Sequence, residues 1–215
     1  MLKAVLIPAK RVSRAKQRLA SSLSPQQRVE LIWAMLGDVA AAVNGATAPD
    51  RIVLISSDPE LLGQARVHGW EAIEEKAQVS ESQSVDDASR MLKEAGVGVV
   101  LRIPLDVPLI RSQDVDQLMQ GEVGSPNALL VPSRDGRGTN ALLRRPPDAF
   151  PSRFGPESLA NHRKEAACAG VPLRIVENVR VALDLDEMLD LTDFWSLGRN
   201  TATGRYLATT GILAR

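Results

Sequence analysis

Residues 2–19 read LKAVLIPAKRVSRAKQRL: an apolar run from Leu2 to Ile7 passes directly into KRVSRAKQR, five cations in nine residues between Lys10 and Arg18. No carboxylate follows until Glu30. A short apolar run of this kind predicts a buried strand, and ligands of parallel sheets gather beyond the carboxyl ends of the strands. The basic loop is therefore placed to meet a polyanion. Lys10, Arg14 and Arg18 recur at a spacing of four with Arg11 and Lys16 between them, so the charge surrounds a loop instead of lining one face of a helix. The loop holds no glycine, which excludes a Walker-type main-chain cradle and leaves phosphate contacts to side chains. Read without its setting, the same stretch would be a solvated charge run.

Outward from this loop, strands alternate with amphipathic helices. Ser24-Pro25-Gln26-Gln27 is a helix start, with a capping serine, a proline at the first position and a glutamine three residues on. Ile32, Met35, Leu36, Val39 and Val43 then recur at helical spacing until Asn44-Gly45. RIVLIS at 51–56 predicts a second strand, Ser57-Asp58-Pro59 a second helix start, and residues 85–95 a third helix. GVVLRI at 98–103 predicts a strand that runs into Pro104-Leu105-Asp106-Val107-Pro108. Strands are also expected at 127–131, 140–143 and 173–176, with a helix over 156–169. The pattern predicts one α/β domain over residues 1–197, a mostly parallel sheet flanked by helices. Residues 198–215 read as a C-terminal tail, a weak helix or mobile end available for a homodimer contact.

Composition narrows the function. Lys plus Arg total 26 and Asp plus Glu total 26, so the basic loop is a local field on a neutral body, and bulk nucleic acid is not the expected partner. One cysteine, Cys168, excludes an intramolecular disulfide and a cysteine-rich zinc site. No stretch approaches the roughly 20 apolar residues of a membrane span. A soluble cytoplasmic protein without a membrane partner is expected.

The carboxylates carry the chemistry. Asp106 stands between two prolines at a strand end, and Asp184 and Asp186 lie two apart in VALDLDEMLDL, residues 181–191. On an extended segment that spacing puts both side chains on one side. Singly, Asp106 reads equally as a turn former, and Asp186 as a cap for a helix over 187–195. With the cationic loop they make an oxygen-only set suited to Mg²⁺ bound together with phosphates. Without the metal, these carboxylates are expected to repel one another and destabilise the fold. Metal-assisted phosphoryl or nucleotidyl transfer follows, a chemistry of positioning and charge neutralisation. Arg134 to Asn140 (RDGRGTN) and Phe154 to Ser158 (FGPES) form a third anion element, where N–H groups at Thr139, Gly155 and Ser158 are expected to hold a second phosphate. His162, four residues after Ser158, lies on the same helical face and is placed either to support that site or to sit on the surface; His68 reads as a helix-end residue.

IPAKRVSRAKQRL, LSPQQR, PLDVPLI, DGRGTNALLRRPPDAFPSRFGPESLANH and ALDLDEMLDL, in this order, resemble the 2-phospholactate guanylyltransferase family of coenzyme F-420 biosynthesis over about residues 4–192. The resemblance implies a nucleotide-diphospho-sugar-transferase-like fold of the GT-A type. It also implies GMP transfer from GTP to a phosphorylated three-carbon acid, either 2-phospho-L-lactate, phosphoenolpyruvate or 3-phospho-D-glycerate, with release of pyrophosphate. On that likeness Asp106, Asp184 and Asp186 match metal-binding aspartates, Lys10 and Lys16 match the lysines of the opening loop, and Thr139, Gly155 and Ser158 match the acceptor-phosphate pocket. Lys10, Lys16 and Asp106 are then the catalytic set, and Lys10, Arg14, Lys16 and Arg18 face the nucleotide. The chain departs from the family at Val85-Asp86-Asp87, where a Leu-Asn pair is usual. Asp86 is expected to accept from guanine N1–H and the 2-amino group. A molybdopterin guanylyl- or cytidylyltransferase would share the aspartate placement but opens on a Gly-Gly loop that is missing here. A catalytically silent nucleotide-binding protein would not need all three aspartates.

Overall fold

A computed structural model describes residues 1–14, 16–76, 79–120 and 127–214. The opening strand is β1 (Leu2–Ala9), followed after two short 3-10 turns by α1 (Pro25–Asn44), β2 (Arg51–Ser56), α2 (Pro59–Val67) and β3 (Glu71–Glu74). Next come α3 (Glu81–Glu94), β4 (Val97–Arg102), α4 (Ser112–Met119), β5 (Asn127–Pro132) and β6 (Thr139–Arg145). The chain ends with α5 (Ser158–Cys168), β7 (Leu173–Ile175), α6 (Met188–Gly198) and α7 (Ala202–Thr210). Among the described residues no helix is long and apolar enough to cross a membrane.

One sheet runs in the order β3-β2-β1-β4-β6-β5-β7. β3, β2, β1 and β4 are mutually parallel, β6 is antiparallel to both β4 and β5, and β5 pairs with β7 in parallel. From β1 the chain moves outward to β2 and β3, then returns to place β4 on the other side of β1. The carboxyl ends of β1 and β4 therefore flank a topological switch point, the crevice where such sheets take ligands. The basic loop leaves β1 there, and Asp106 follows β4 by four residues.

Alternation along β1 explains the layering. Val5 and Ile7 face a core built with α1, α2, α4, α6 and α7, while Ala4 and Leu6 face a second core containing Val85, Ala88 and Leu92 of α3. A third cluster joins β5 and β6 to Ala166 of α5. Each fully buried Leu, Ile or Val stabilises by roughly 1.5–3 kcal/mol, so the sheet is a stiff platform for the loops at its edge. α1 forms as its capping sequence predicts: Ser24 Oγ accepts from Gln27 N–H at 3.2 Å, and the Gln27 side chain accepts from Ser24 N–H at 2.9 Å.

Some boundaries differ from the sequence reading. α3 begins at Glu81, four residues before the expected start, because Ser80 caps it through Gln83 N–H at 3.1 Å. β3 and α4 are additional elements; EAIE is too short and polar to stand out, and it pairs at the sheet edge. Residues 198–215, expected as a tail, contain α7 fixed on α1. The Asp38 carboxylate of α1 accepts from Ala202 and Thr203 N–H at 2.7 and 2.8 Å, Tyr206 Oη donates to Gln27 O at 2.8 Å, and Leu207 is buried.

Candidate active site

The loop after β1 is anchored before it reaches the crevice. Asp58, the N-cap of α2, accepts from Glu60 N–H with one oxygen and from Val12 N–H with the other, both at 2.9 Å. The backbone then turns through Lys16 in the left-handed region, at φ 53° and ψ 40°. For a residue with a Cβ that conformation costs roughly 1–2 kcal/mol. It delivers the Lys16 ammonium to Asp106 Oδ2 at 2.7 Å and to Asp186 Oδ1 at 2.8 Å, two charge-assisted bonds that more than offset the strain.

Asp184 and Asp186 reach the same place because their segment docks on the loop after β4, where Leu185 N–H donates to Asp106 O at 3.0 Å. Oxygens of Asp106, Asp184 and Asp186 all lie within 4.8 Å of one another. Such a hard, oxygen-only set fits a divalent cation. Asp186 does not cap α6 with its side chain. Asp190 does that work, accepting from Asp186 and Glu187 N–H at 3.0 and 2.8 Å, which leaves Asp186 to Lys16.

Charge is not shared evenly. Burial would raise the Asp106 carboxyl, but Lys16 and Arg102 outweigh it and hold it below the usual range. Burial would lower the Lys16 ammonium, and the two aspartates reverse that. Among the described residues Asp184 has no ion pair. Burial and the Asp106 and Asp186 charges push it up to about 6, against the bond it accepts from Asn140 Nδ2 at 3.0 Å and a weaker main-chain one. The expected repulsion among the carboxylates is thus felt most at Asp184, since Lys16 bridges the other two and offsets part of their charge.

The remaining basic residues are graded by exposure. Arg18 reaches Asp186 Oδ2 at 3.5 Å and Glu187 Oε1 at 3.4 Å from an exposed position. Lys10 is exposed at the rim, with no ion pair among the described residues. Arg11 lies against Ser57 Oγ at 3.5 Å. Arg14 belongs to the first 3-10 turn, and its side chain lies outside the described residues.

Across the crevice Thr139 starts β6 and is nearly buried, and Ser158 starts α5 with 2% exposure. Gly155 has φ +116°, a conformation that demands glycine. Leu159 N–H donates to Arg137 O at 3.0 Å, and Arg137 pairs with Glu157 at 2.5 Å, tying the glycine loop to the start of α5. His162 is fully buried between Thr139 Oγ1, 3.0 Å from Nδ1, and Arg153 N–H, which donates to Nε2 at 2.8 Å. It is therefore a buried residue bonded to the start of β6 and to the loop before α5, and not a surface residue.

Asp86 is set apart from the expected site. Its Oδ1 accepts from Arg144 Nη1 at 2.8 Å, and its Oδ2 accepts from Ser152 N–H at 2.9 Å. Arg144 is 2% exposed, so the carboxylate is the counter-charge of a buried guanidinium. The carboxylate expected to accept from guanine is thus committed in part to Arg144, while a quarter of its side chain remains exposed. Two contributors escaped the sequence reading. Asn140 orients Asp184 while donating to Val181 O and Ala182 O at 3.0 Å. Arg102, buried at the end of β4, pairs with Glu81, donates to Asn140 O at 3.1 Å and lies over the Phe154 ring at 4.3 Å. A cation inside the apolar run VVLRI was the available signal.

Comparison with known proteins adds an independent view. Residues 3–214 match the family model described as "Guanylyl transferase CofC like". A phosphoenolpyruvate guanylyltransferase of Rubrobacter xylanophilus is 37% identical over 186 residues, covering 86% of this chain and 90% of that protein. A 2-phospho-L-lactate guanylyltransferase of Methanothermobacter thermautotrophicus is 32% identical over 202 residues, covering 94% and 88%. Among solved structures, a protein of Desulfovibrio desulfuricans G20 assigned to the nucleotide-diphospho-sugar transferases superposes with a TM-score of 0.81 at 15% identity, covering 99% of this chain and 97% of that one. A CMP:2-keto-3-deoxy-manno-octonic acid synthetase complexed with CTP gives 0.62 at 14% identity, covering 92% and 98%. At these identities the structural likeness shows the fold.

Proposed function

The chain belongs to the guanylyl transferase CofC-like family, and from that membership and the crevice geometry we propose that it transfers GMP from GTP to a phosphorylated three-carbon acid in coenzyme F-420 biosynthesis. The relatives named for phosphoenolpyruvate and 2-phospho-L-lactate support that class of acceptor. We take phosphoenolpyruvate as the preferred acid, since the relative at 37% identity carries that name. In the reaction an acceptor-phosphate oxygen attacks the α-phosphorus of GTP. The α–β bridging bond breaks, pyrophosphate leaves with its electron pair, and a diphosphate linkage joins GMP to the acid.

The observation that carries this reading is the ammonium of Lys16 held between Asp106 and Asp186, with Asp184 beside them, at the β1/β4 switch point. The acceptor phosphate, with a second pKa near 6, is largely ionised at neutral pH, so no general base is required. The protein must instead bring two polyanions together. Asp106, Asp184 and Asp186 are the residues that would hold Mg²⁺, which when bound supplies charge neutralisation to the triphosphate. Lys16 places a buried positive charge where negative charge accumulates, and Arg18 and Lys10 extend that field outward. On the opposite wall the Thr139 and Ser158 hydroxyls and the main chain at Gly155 receive the acceptor phosphate.

The test is pyrophosphate release from GTP with Mg²⁺ and, in parallel, phosphoenolpyruvate, 2-phospho-L-lactate or 3-phospho-D-glycerate, with mass analysis of each product. A GMP adduct with at least one acid is expected, with phosphoenolpyruvate giving the highest kcat/KM. Hydrolysis of GTP with no adduct in all three reactions would overturn the proposal.

A further inference from the structure

We infer that His162 is a positioning residue that turns the Thr139 hydroxyl outward as a hydrogen-bond donor to the acceptor phosphate. The inference rests on the reading of Thr139 as an acceptor contact and adds the element that makes it one. A neutral imidazole has one N–H and one bare nitrogen, and which is which follows from its partners. Arg153 N–H points at Nε2 from 2.8 Å. A main-chain N–H is only a donor, so Nε2 is the bare nitrogen and Nδ1 carries the proton. Ser158 offers the ring a further main-chain acceptor, which likewise calls for a protonated nitrogen. Nδ1 lies 3.0 Å from Thr139 Oγ1. Thr139 cannot then donate to the ring; its oxygen faces the Nδ1 proton, shared with the Ser158 main chain, and its own proton is left for another partner.

The direction of that bond matters for a dianion. With the opposite tautomer Thr139 would spend its proton on the ring and present lone pairs to the phosphate, which is repulsive. A doubly protonated ring would face Arg153 N–H donor to donor. Burial, together with the Arg102 and Arg144 charges, opposes this by lowering the His162 pKa to about 3. Packing fixes the ring plane as well: Phe154 meets it edge-on with centroids 4.9 Å apart, and Arg102 lies over the Phe154 ring. Phe154 is itself held by its N–H donating to Ser82 Oγ at 2.8 Å.

The experiment compares KM for the acceptor and for GTP in wild type, Thr139→Val, His162→Gln, His162→Asn and the Thr139→Val/His162→Gln double variant. Glutamine keeps an acceptor toward Arg153 but offers no donor at the Nδ1 position, whereas asparagine keeps the donor. Loss of a hydrogen bond to a charged group predicts a rise of roughly tenfold or more in acceptor KM for Thr139→Val and His162→Gln. The KM for GTP should change less than about twofold, the double variant should be no worse than Thr139→Val, and His162→Asn should recover most of the loss. An unchanged acceptor KM in Thr139→Val would overturn the acceptor-pocket reading itself. A raised KM in Thr139→Val with none in His162→Gln, or an asparagine variant as poor as glutamine, would overturn the positioning role alone. Should the buried substitutions fail to fold, imidazole ¹⁵N spectra of wild type decide the matter at neutral pH. The chain has only two histidines, so the signals are separable; the Nδ1–H form supports the role and the Nε2–H form overturns it.

Discussion

Where the loops after β1 and β4 meet, the polar groups facing one another are ions, and where β6 and α5 begin, the facing groups Thr139, Ser158 and His162 are neutral. Lys16, Asp106 and Asp186 face one another as full charges at 2.7–2.8 Å. Thr139 and His162 meet as a neutral pair, with the ring and Ser158 sealed from solvent. The charged wall suits a ligand that arrives as a polyanion with a counter-ion, since the Asp106 and Asp186 carboxylates stay partly exposed around the buried Lys16 ammonium. The neutral wall suits a small ligand recognised by the direction of a few hydrogen bonds. Charges act at a distance and tolerate misplacement, whereas a hydroxyl pointed the wrong way turns attraction into repulsion.

Removing one charge from the ionic wall is the harshest way to sharpen this contrast. Asp106→Asn should lower kcat by roughly 10²–10³-fold, the range for losing a preorganised electrostatic contact. Its stability should also fall, because Lys16 remains buried and keeps, among the described residues, one ion-pair partner, Asp186. Repulsion alone would have predicted a more stable variant. Turnover and thermal unfolding of the metal-free protein measure both effects, and near-normal turnover would remove Asp106 from the site.

Asp86→Ala tests whether the ion pair with Arg144 behaves as structure only. Arg144 would keep Phe150 O at 2.5 Å and Ser89 Oγ at 3.0 Å but lose its carboxylate. Breaking a buried pair typically costs about 3–5 kcal/mol; with Asp86 partly exposed, about 3 kcal/mol is expected by denaturant titration. The preference for GTP over ATP and ITP should persist in the surviving folded enzyme. A flattened ranking would restore Asp86 to base recognition.

The two walls were also unequally legible in the sequence. Lys10 to Arg18, Asp106 and Asp184-x-Asp186 stood out because residue type, local spacing and position at strand ends coincide in short stretches. What was hidden is the exchange of partners across the chain. Nothing local shows that Lys16 meets Asp106 and Asp186, 90 and 170 residues away, or that Asp86 belongs to Arg144, 58 residues away. At Asp86 the sequence showed a carboxylate where Asn is usual but not its pairing with Arg144. His162 was placed on the correct face of α5 by helical spacing, but its tautomer depends on Arg153 N–H in a loop without periodicity. The parallel core was legible from apolar runs; the polar edge strand β3 was not.

The smallest predicted effect sets the two walls against each other through pH. Asp184 is raised from 3.8 to about 6, so its protonated form favours the fold; in metal-free protein this stabilisation is present at low pH and lost as pH rises through about 6. His162, faced by Arg102, Arg144 and Asp86, is lowered from 6.5 to about 3, so stability is present above 6.5 and is lost progressively as pH falls toward 3. Between pH 6.5 and 5.5 the His162 contribution is a loss of about 1 kcal/mol and the Asp184 contribution a somewhat smaller gain. They nearly cancel in wild type, which should show a flat unfolding free energy across this window in the presence of a chelator. His162→Gln removes the loss and should become more stable on acidification. Asp184→Asn removes the gain, should be more stable than wild type at pH 7 by roughly 1–3 kcal/mol, and should lose stability as pH falls. Denaturant unfolding at the two pH values reads these slopes. Parallel slopes in all three proteins would mean that neither group titrates as its surroundings dictate, and the division into a charged and a neutral wall would fail.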